Sequence, residues 1–203
     1  MPEDAAPREV LTLHLWRLLD WTFLLPDPQP ASLAYGGTLS SNEERALAML
    51  DPGCRRLAGT GPKPAVEVVL LASPTYRQAR AGAAAVVAGG WICIRHRRSF
   101  RPWRRPITLA GWRRFLERRG FGEVSVNWFA PGLERPARIV PAASKGAVMD
   151  TLSRHQGLRW GAAKAAIGRL AFGLGLFPVA VAEGAVVARR LEPAVRGGRH
   201  ELH

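Results

Sequence analysis

Apolar residues occur along the chain in two patterns, at helical spacing in some segments and as short continuous runs in others. Between residues 9 and 25 they recur every three or four positions, which predicts an amphipathic helix. Prolines at positions 26, 28 and 30 end this helix and predict an extended segment after it. The run from Val66 to Ala72 is almost wholly apolar and is followed by Ser73-Pro74, so it predicts a strand buried on both faces.

Further apolar runs and turn signals divide the rest of the chain into short strands and helices. Strands are predicted at Ser32 to Tyr35, Arg55 to Ala58, Trp91 to Arg95, Glu123 to Phe129 and, as a strand pair or hairpin, Val179 to Ala188. Helices are predicted at Asn42 to Leu50, Tyr76 to Val87, Leu109 to Arg119, Ser144 to Gln156 and Trp160 to Leu174. This alternation favours an α/β fold with a mostly parallel sheet of about six strands.

The same pattern predicts three segments. Residues 1–30 form an N-terminal helix with its proline linker, residues 31–190 form the α/β domain, and residues 191–203 form a polar tail. The linker is assigned from its prolines, and the tail from its loss of apolar periodicity.

Charge adds one unusual property to this picture. The chain has 29 lysine and arginine residues against 16 aspartate and glutamate residues, a formal net charge of +13, and all but Lys63, Lys145 and Lys164 are arginine. Two explanations remain open. The arginines follow from a composition rich in alanine, arginine, glycine and proline, or they were selected for an anionic partner.

Several function classes find no support in the sequence. Cys54 and Cys93 are isolated, and no histidine has a partner at metal-ligand spacing, so we expect neither disulfides nor a metal site. The first nine residues are polar and acidic, unlike a signal peptide. The apolar stretch from about 170 to 188 contains Pro178 and Glu183, so we expect no membrane span and a cytoplasmic protein.

A double glycine follows the first predicted strand. The residues are Tyr35, Gly36, Gly37 and Thr38, and a predicted helix comes shortly after them. A strand, a glycine turn and a helix are the parts that cradle a nucleotide-like cofactor in doubly wound α/β proteins. These four residues are therefore the candidate cofactor-binding residues.

The order of the elements from about Leu24 to Arg190 resembles class I S-adenosylmethionine-dependent methyltransferases. The glycine pair stands at the family's glycine-rich turn, and the apolar run ending at Ala72 stands at its fourth strand. Gly89-Gly90 before a strand, and Gly120-Phe121 between a helix and a strand, match the family's later elements. The resemblance implies a Rossmann-like doubly wound sheet, with S-adenosylmethionine as cofactor if the protein is active.

Four features expected from this resemblance are missing. No acidic residue precedes the glycines, and the third glycine is replaced within the sequence Leu39-Ser40-Ser41. No carboxylate follows the second strand to hold the ribose, and the fourth strand does not open with aspartate. The short Gly59 to Pro64 segment also leaves no room for the family's next helix and edge strand, which predicts a sheet shortened at one edge.

The resemblance also suggests residues for the methyl acceptor. Ser73 follows the fourth strand, His96 is placed as a general base at the end of the next strand, and Trp128 lies where many such enzymes build an acceptor pocket. Packing roles remain the alternative for His96 and Trp128.

The densest basic segment runs from Arg95 to Arg105 and also contains Phe100 and Trp103. Because it follows a strand's carboxyl end, Arg95, Arg97 and Arg98 are candidate ligands for a small-molecule or other anion. A solvated basic loop is the alternative. No nucleic-acid-binding signature accompanies the segment, so we do not expect a nucleic-acid partner.

These observations favour a methyltransferase-like protein with a degraded cofactor site. It would act without catalysis, as a partner or accessory subunit in a biosynthetic pathway, and would bind the cofactor poorly or not at all. Three alternatives stay open: an active methyltransferase with a divergent or partner-completed site, an unrelated α/β protein, and an adaptor that binds an anionic ligand or acidic partner through Arg95 to Arg105. A protein partner or a homo-oligomer is compatible with all of them.

Overall fold

The computed structural model describes residues 13–57, 65–97, 108–130, 133, 137–154, 161–181 and 183–192. Within these residues one sheet contains seven strands. They are β1 (Leu33–Gly37), β2 (Arg55–Arg56), β3 (Val66–Ala72), β4 (Val86–Arg97), β5 (Phe121–Ala130), β6 (Arg138–Pro141) and β7 (Glu183–Arg190). Their order across the sheet is β2-β1-β3-β4-β7-β5-β6.

The α/β prediction is confirmed, but the sheet has seven strands instead of about six, and only its first part is parallel throughout. The described sheet is mixed. β2, β1, β3 and β4 run parallel, and β7 is antiparallel to both β4 and β5. The seventh strand is β6, which is not among the strands predicted from the sequence, and its four residues pair antiparallel with β5. At the other edge, β2 has only two residues.

The described helices are α1 (Ser41–Leu50), α2 (Tyr76–Ala85), α3 (Leu109–Glu117), α4 (Lys145–Arg154), α5 (Gly161–Gly173) and α6 (Phe177–Ala180). α2 ends earlier than predicted because Val86 already belongs to β4. The Gly89-Gly90 pair, expected just before a strand, lies inside β4. A Cβ atom on Gly90 would lie 2.5 Å from the Glu67 carbonyl oxygen, so the close approach of β3 requires glycine there.

Hydrophobic cores cover both faces of the sheet. Alternate residues of β3, β4 and β7 point to opposite sides, so each strand contributes to both cores. α1 packs on the first face, together with Leu15, Leu19 and Trp21 of the N-terminal segment. Helices α2 to α6 contribute to the core on the second face. This arrangement, with helices on both sides of the sheet, is the doubly wound architecture expected from the sequence.

The N-terminal segment is helical at residues 13–17 and continues as a 3₁₀ helix over Asp20–Leu24. Its residues before 13 lie outside the described part of the chain. None of the helices in the described residues is long and apolar enough to cross a lipid bilayer.

From β1 to β7 the elements follow the order that the resemblance to class I methyltransferases implied. A strand and glycine pair come first, then β3 and α2, then β4, and finally α3, which ends at Glu117 shortly before β5. The chain therefore has a methyltransferase-like, Rossmann-like α/β fold.

Candidate functional site

A cleft of about 390 Å³ opens at the carboxyl ends of β1, β3 and β4. The helix after β1 lies on one face of the sheet and the helix after β3 lies on the other, so the connections diverge here and leave a crevice. The lining residues are His14, Leu18, Thr38, Ser40, Asn42, Glu43, Ala72, Ser73, Arg95, Arg97 and Leu133.

The glycine pair lies at the end of β1 and not in the connection after it. Gly36 pairs with Leu71 and Gly37 with Ala72, and the Thr38 amide donates to the Ala72 carbonyl at 2.9 Å. Gly37 has φ +90°, and a Cβ atom there would overlap the Ala72 carbonyl oxygen. β1 can therefore pair with β3 at this position only because Gly37 has no side chain.

Of the four candidate cofactor residues, only Thr38 lines the cleft. Tyr35 is half-buried against the core on the α1 side, and this burial, with the Glu44 carboxylate second, raises the pKa of its phenol. Gly36 borders a different cavity, of about 400 Å³, on the α2 side of the sheet. The structure therefore separates residues that are adjacent in the sequence.

A buried ion pair joins two walls of the cleft. Arg95 projects from β4, and its Nη1 lies 2.8 Å from Oε1 of Glu43 in the first turn of α1. The Arg95 side chain is 8% exposed and that of Glu43 18%. The other oxygen of Glu43, Oε2, accepts from the Ser40 amide at 2.7 Å and from the Ser40 hydroxyl at 2.9 Å. Both carboxylate oxygens of Glu43 therefore have partners.

Ser73 lines the cleft in a strained backbone conformation. Its φ is +45°, which is uncommon for a residue with a side chain. Its amide donates to the Arg95 carbonyl at 2.8 Å, and its hydroxyl accepts from the Arg97 amide at 3.4 Å. These contacts connect the end of β3 to the end of β4.

Arg97 is also paired with a carboxylate. Its Nε lies 2.8 Å from Oε1 of Glu183 in β7, and Oε2 of Glu183 accepts from the Leu133 amide at 2.7 Å. The two described arginines of the candidate anion site therefore both have acidic partners. Arg98 and the rest of the basic segment through residue 105 lie outside the described residues.

His96 and Trp128 do not line this cleft. Residues along β4 alternate between faces, so His96 projects to the side opposite Arg95 and Arg97, where it is 8% exposed. Trp128 packs near Phe177, with ring centroids 5.6 Å apart, on the side of the sheet covered by α6. The structure thus brings together Thr38, Ser73, Arg95 and Arg97, without the predicted base and pocket aromatic.

The sequence analysis did not identify Ser40, Asn42, Glu43 or His14 as cleft residues. A local signal was available for two of them, since Ser40 and Glu43 form a capping box at the start of α1. The Arg95 contact had no such signal because it joins positions far apart in the sequence.

Two acidic residues outside the cleft, Glu67 and Asp51, stabilise the other end of the sheet. Glu67 accepts from the Ala31 amide at 2.8 Å, and Asp51 accepts from the Leu33 amide at 3.0 Å, both near the start of β1.

No group of three or more histidine, cysteine, aspartate or glutamate residues suited to a metal ion occurs among the described residues. Burial raises the pKa of the Cys93 thiol to about 12, so at neutral pH it is not a thiolate nucleophile.

No protein-family model matches the sequence, and no curated protein matches it significantly. Several solved methyltransferase structures are similar to it. For phosphoethanolamine N-methyltransferase 2 of Haemonchus contortus, solved with phosphomonomethylethanolamine and S-adenosylhomocysteine, the TM-score is 0.48 and the identity 11%, over 87% of this chain and 52% of that one. This chain therefore spans about half the length of that protein.

Two bacterial structures are similar over most of their length. An S-adenosylmethionine-dependent methyltransferase of Thermotoga maritima has a TM-score of 0.44 and 12% identity, over 91% of this chain and 92% of that one. One of Thiobacillus denitrificans, solved with S-adenosylhomocysteine, has a TM-score of 0.37 and 12% identity, over 86% and 90% of the two chains.

Proposed function

We propose that this chain is a cytoplasmic, methyltransferase-like protein that does not use S-adenosylmethionine and acts as a non-catalytic partner or accessory subunit. The observation that carries the proposal is the Glu43–Arg95 ion pair across the cleft, at 2.8 Å. Glu43 is the sole carboxylate among the residues that line this cleft in the described chain, and both of its oxygens already have partners.

The groups present do not fit the cofactor. The resemblance implies a carboxylate for the ribose hydroxyls, yet the sequence after β2, from Leu57 to Pro64, contains none. It also implies glycines that let the backbone approach the methionine part of the cofactor, because glycine has no Cβ atom to clash. Here Gly37 lies against Ala72 of β3, and the next positions carry Leu39, Ser40 and Ser41.

Breaking the ion pair to free Glu43 would be unfavourable. Removing one partner of a buried pair leaves an uncompensated charge at a cost of about 3–5 kcal/mol. A cofactor that recruited Glu43 would have to offset this cost before it gained net affinity. The pair therefore acts against S-adenosylmethionine binding in addition to the missing carboxylates.

Isothermal titration calorimetry of the full chain with S-adenosylmethionine, and separately with S-adenosylhomocysteine, tests the first part of the proposal. We expect no saturable heat from either ligand, while an active methyltransferase titrated in the same buffer gives a normal isotherm. A cooperative thermal transition of the same sample establishes that the chain is folded. Micromolar binding of either ligand would overturn the proposal.

An active enzyme completed by a partner chain is the second candidate. The cleft volume of about 390 Å³ supports it, because this lies within the usual range for small-molecule sites. The matching test is to titrate S-adenosylmethionine into the chain together with a protein that co-purifies with it. Binding by the complex but not by the isolated chain would favour this candidate, whereas no binding by either would favour the non-catalytic role.

A further inference from the structure

Three aromatic side chains join α2 to α3. The ring centroid of Tyr76, at the start of α2, lies 5.3 Å from that of Trp112 and 5.9 Å from that of Phe115, both in α3. Trp112 is fully buried, Phe115 is half-buried and Tyr76 is 53% exposed. The aromatic cluster therefore holds the two helices side by side on the second face of the sheet and extends from the core to solvent.

The outward sides of these two helices are rich in unpaired positive charge. Glu117 is the sole acidic residue in the described residues of α2 and α3, and it already accepts from Nε of Arg113 at 2.7 Å. Five other arginines of α2, of α3 and of the turn directly after α3 are exposed and form no salt bridge within the part of the chain that the structure describes. Together with Tyr76 they are here called the α2–α3 surface: Arg77, Arg80, Arg114, Arg118 and Arg119.

Arg119 is positioned before any partner binds. Its guanidinium carbon lies 4.5 Å from the centre of the Phe115 ring, one helical turn earlier. A guanidinium group that stacks on a ring keeps its N–H groups, which lie in its own plane, available to an anion. Because Tyr76 and Trp112 pack against that ring, the platform under Arg119 is fixed. Less side-chain entropy is therefore lost when an anion binds to Arg119.

We propose that the α2–α3 surface binds an acidic segment of a protein partner. The proposal goes beyond the proposed function and rests on it only for the expectation that a partner exists. Tyrosine and arginine are enriched at protein interfaces, and a guanidinium group binds a carboxylate through two parallel hydrogen bonds. Negative charge on the partner would also relieve the mutual repulsion of the five neighbouring arginines.

Two other anionic partners fit this surface less well. Single-stranded nucleic acid binds by stacking bases on free aromatic rings, but Arg119 covers the Phe115 ring and Tyr76 packs against two other rings. A peripheral contact with an anionic membrane uses large apolar side chains that enter the lipid, and the α2–α3 surface offers only Tyr76. Carboxylates of a protein segment need neither feature.

Fluorescence anisotropy of the full chain with a labelled peptide of about twelve glutamate and aspartate residues tests the proposal. A peptide of the same length made of glutamine and asparagine is the control ligand. We expect saturable binding of the acidic peptide alone, and this binding should weaken as salt is added because exposed charges are screened. Arg80→Gln and Arg119→Gln should each raise the dissociation constant about threefold to fivefold, and the double variant about tenfold or more.

Phe115→Leu tests the contribution of the stacked arginine. The change leaves the net charge as it is and removes the ring under Arg119, so we expect a dissociation constant raised about twofold to threefold. Equal melting temperatures of wild type and variants establish that the fold is retained.

Arg45→Gln is the matched control for charge. Arg45 is exposed on α1, on the other face of the sheet, and its replacement removes the same charge as Arg119→Gln. We expect it to leave the dissociation constant within about twofold of wild type. Equal losses in Arg45→Gln and Arg119→Gln would mean that only net charge matters and would overturn the proposal.

Three further results would also overturn it. One is the absence of acidic-peptide binding at low salt, and another is unchanged binding in the double variant. The third is tighter binding of an oligothymidine of equal charge that is lost in Arg119→Gln, which would assign the surface to nucleic acid. None of these results bears on the calorimetry with S-adenosylmethionine, so the two proposals fail separately.

Discussion

At the scale of single residues, Glu43 makes two separate contacts in the cleft. One carboxylate oxygen neutralises the buried Arg95 guanidinium, and the other closes the capping box with Ser40. Because of these two contacts, one side chain ties the first turn of α1 to the end of β4. A cleft wall built in this way is held by charge pairing as well as by packing.

The first prediction concerns this pair. Glu43→Gln keeps a side chain that can still cap α1, but it leaves Arg95 buried without a counter-charge. We expect Glu43→Gln and Arg95→Met each to lower the free energy of unfolding by about 3 kcal/mol, measured by urea denaturation. The double variant should lose less than the sum of the two single losses, because both remove the same interaction.

A surface contact provides the control for that experiment. Nη1 of Arg56 lies 3.9 Å from Oε1 of Glu44, and 66% of the Arg56 side chain is exposed. Arg56→Met should therefore change the free energy of unfolding by no more than about 0.5 kcal/mol. Strictly additive effects of Glu43→Gln and Arg95→Met would contradict the ion pair.

The second prediction concerns Gly37. Gly37→Ala forces a side chain into a backbone conformation with φ +90° and against the Ala72 carbonyl. We expect a loss of about 3 kcal/mol or more in the free energy of unfolding. Gly146→Ala is the control, since nothing lies within 4 Å of the added Cβ in α4, and it should be neutral or stabilising by up to about 1 kcal/mol. A tolerated Gly37→Ala would show that β1 does not need glycine there.

At the scale of elements, capping and strand edges explain where helices begin and where the sheet gains a strand. Capping boxes start α1 and α2, with Ser40 and Glu43 in the first and Thr75 and Gln78 in the second. Asp150 of α4 contacts Arg138 of β6 at 2.8 Å and thereby links the outermost strand to a helix. A strand of four residues forms few backbone hydrogen bonds with its neighbour, so side-chain contacts such as this ion pair help to hold it in place.

The third prediction follows from that link. Hydrogen bonds from Arg138 and then from Arg154 hold the pKa of Asp150 below its ordinary value of 3.8. A folded-state pKa below the unfolded value contributes stability that is present above the unfolded pKa and is lost as pH falls through the folded pKa. Asp150→Asn should therefore unfold at a lower temperature than wild type at pH 7.

The pH dependence is the readout of that experiment. As pH falls below 3.8 and then through the lower folded-state pKa, the difference between wild type and Asp150→Asn should shrink towards zero, because the Asp150 carboxyl becomes neutral first in the unfolded chain and then in the folded one. Since Asp150 is exposed, its effect at pH 7 should be smaller than that of Glu43→Gln. A difference that persists unchanged at low pH would mean that the carboxylate charge is not its cause.

At the scale of the whole molecule, the cleft and the α2–α3 surface are separate parts of the fold. The cleft lies at the carboxyl ends of the parallel strands, with α1 and the N-terminal segment on one side of it. The α2–α3 surface belongs to the helices that cover the second face. Calorimetry on the cleft and fluorescence anisotropy on the α2–α3 surface therefore test separate parts of the protein. Failure of one proposal leaves the other standing.

Much of the fold followed from local patterns. Val66 to Ala72 was predicted as a buried strand to the residue, because a continuous apolar run has few alternatives. The helix predicted to begin at Leu109 does begin there as α3, and the Thr108 hydroxyl before it accepts from the Gly111 amide at 3.1 Å. β6 and the length of β4 escaped prediction, since a short edge strand and a bulged strand depend on neighbours that a local window does not contain.

The candidate site, too, could be predicted only in part from the sequence. Residue types alone showed that the positions where the resemblance implies cofactor carboxylates hold none, because a carboxyl group is either present in the sequence or absent. Local spacing could not show that Arg95 meets Glu43, that His96 faces away from the cleft, or that Gly37 serves pairing with Ala72. Those outcomes depend on strand order and register, which bring distant residues within a few ångströms and assign alternate side chains to opposite faces.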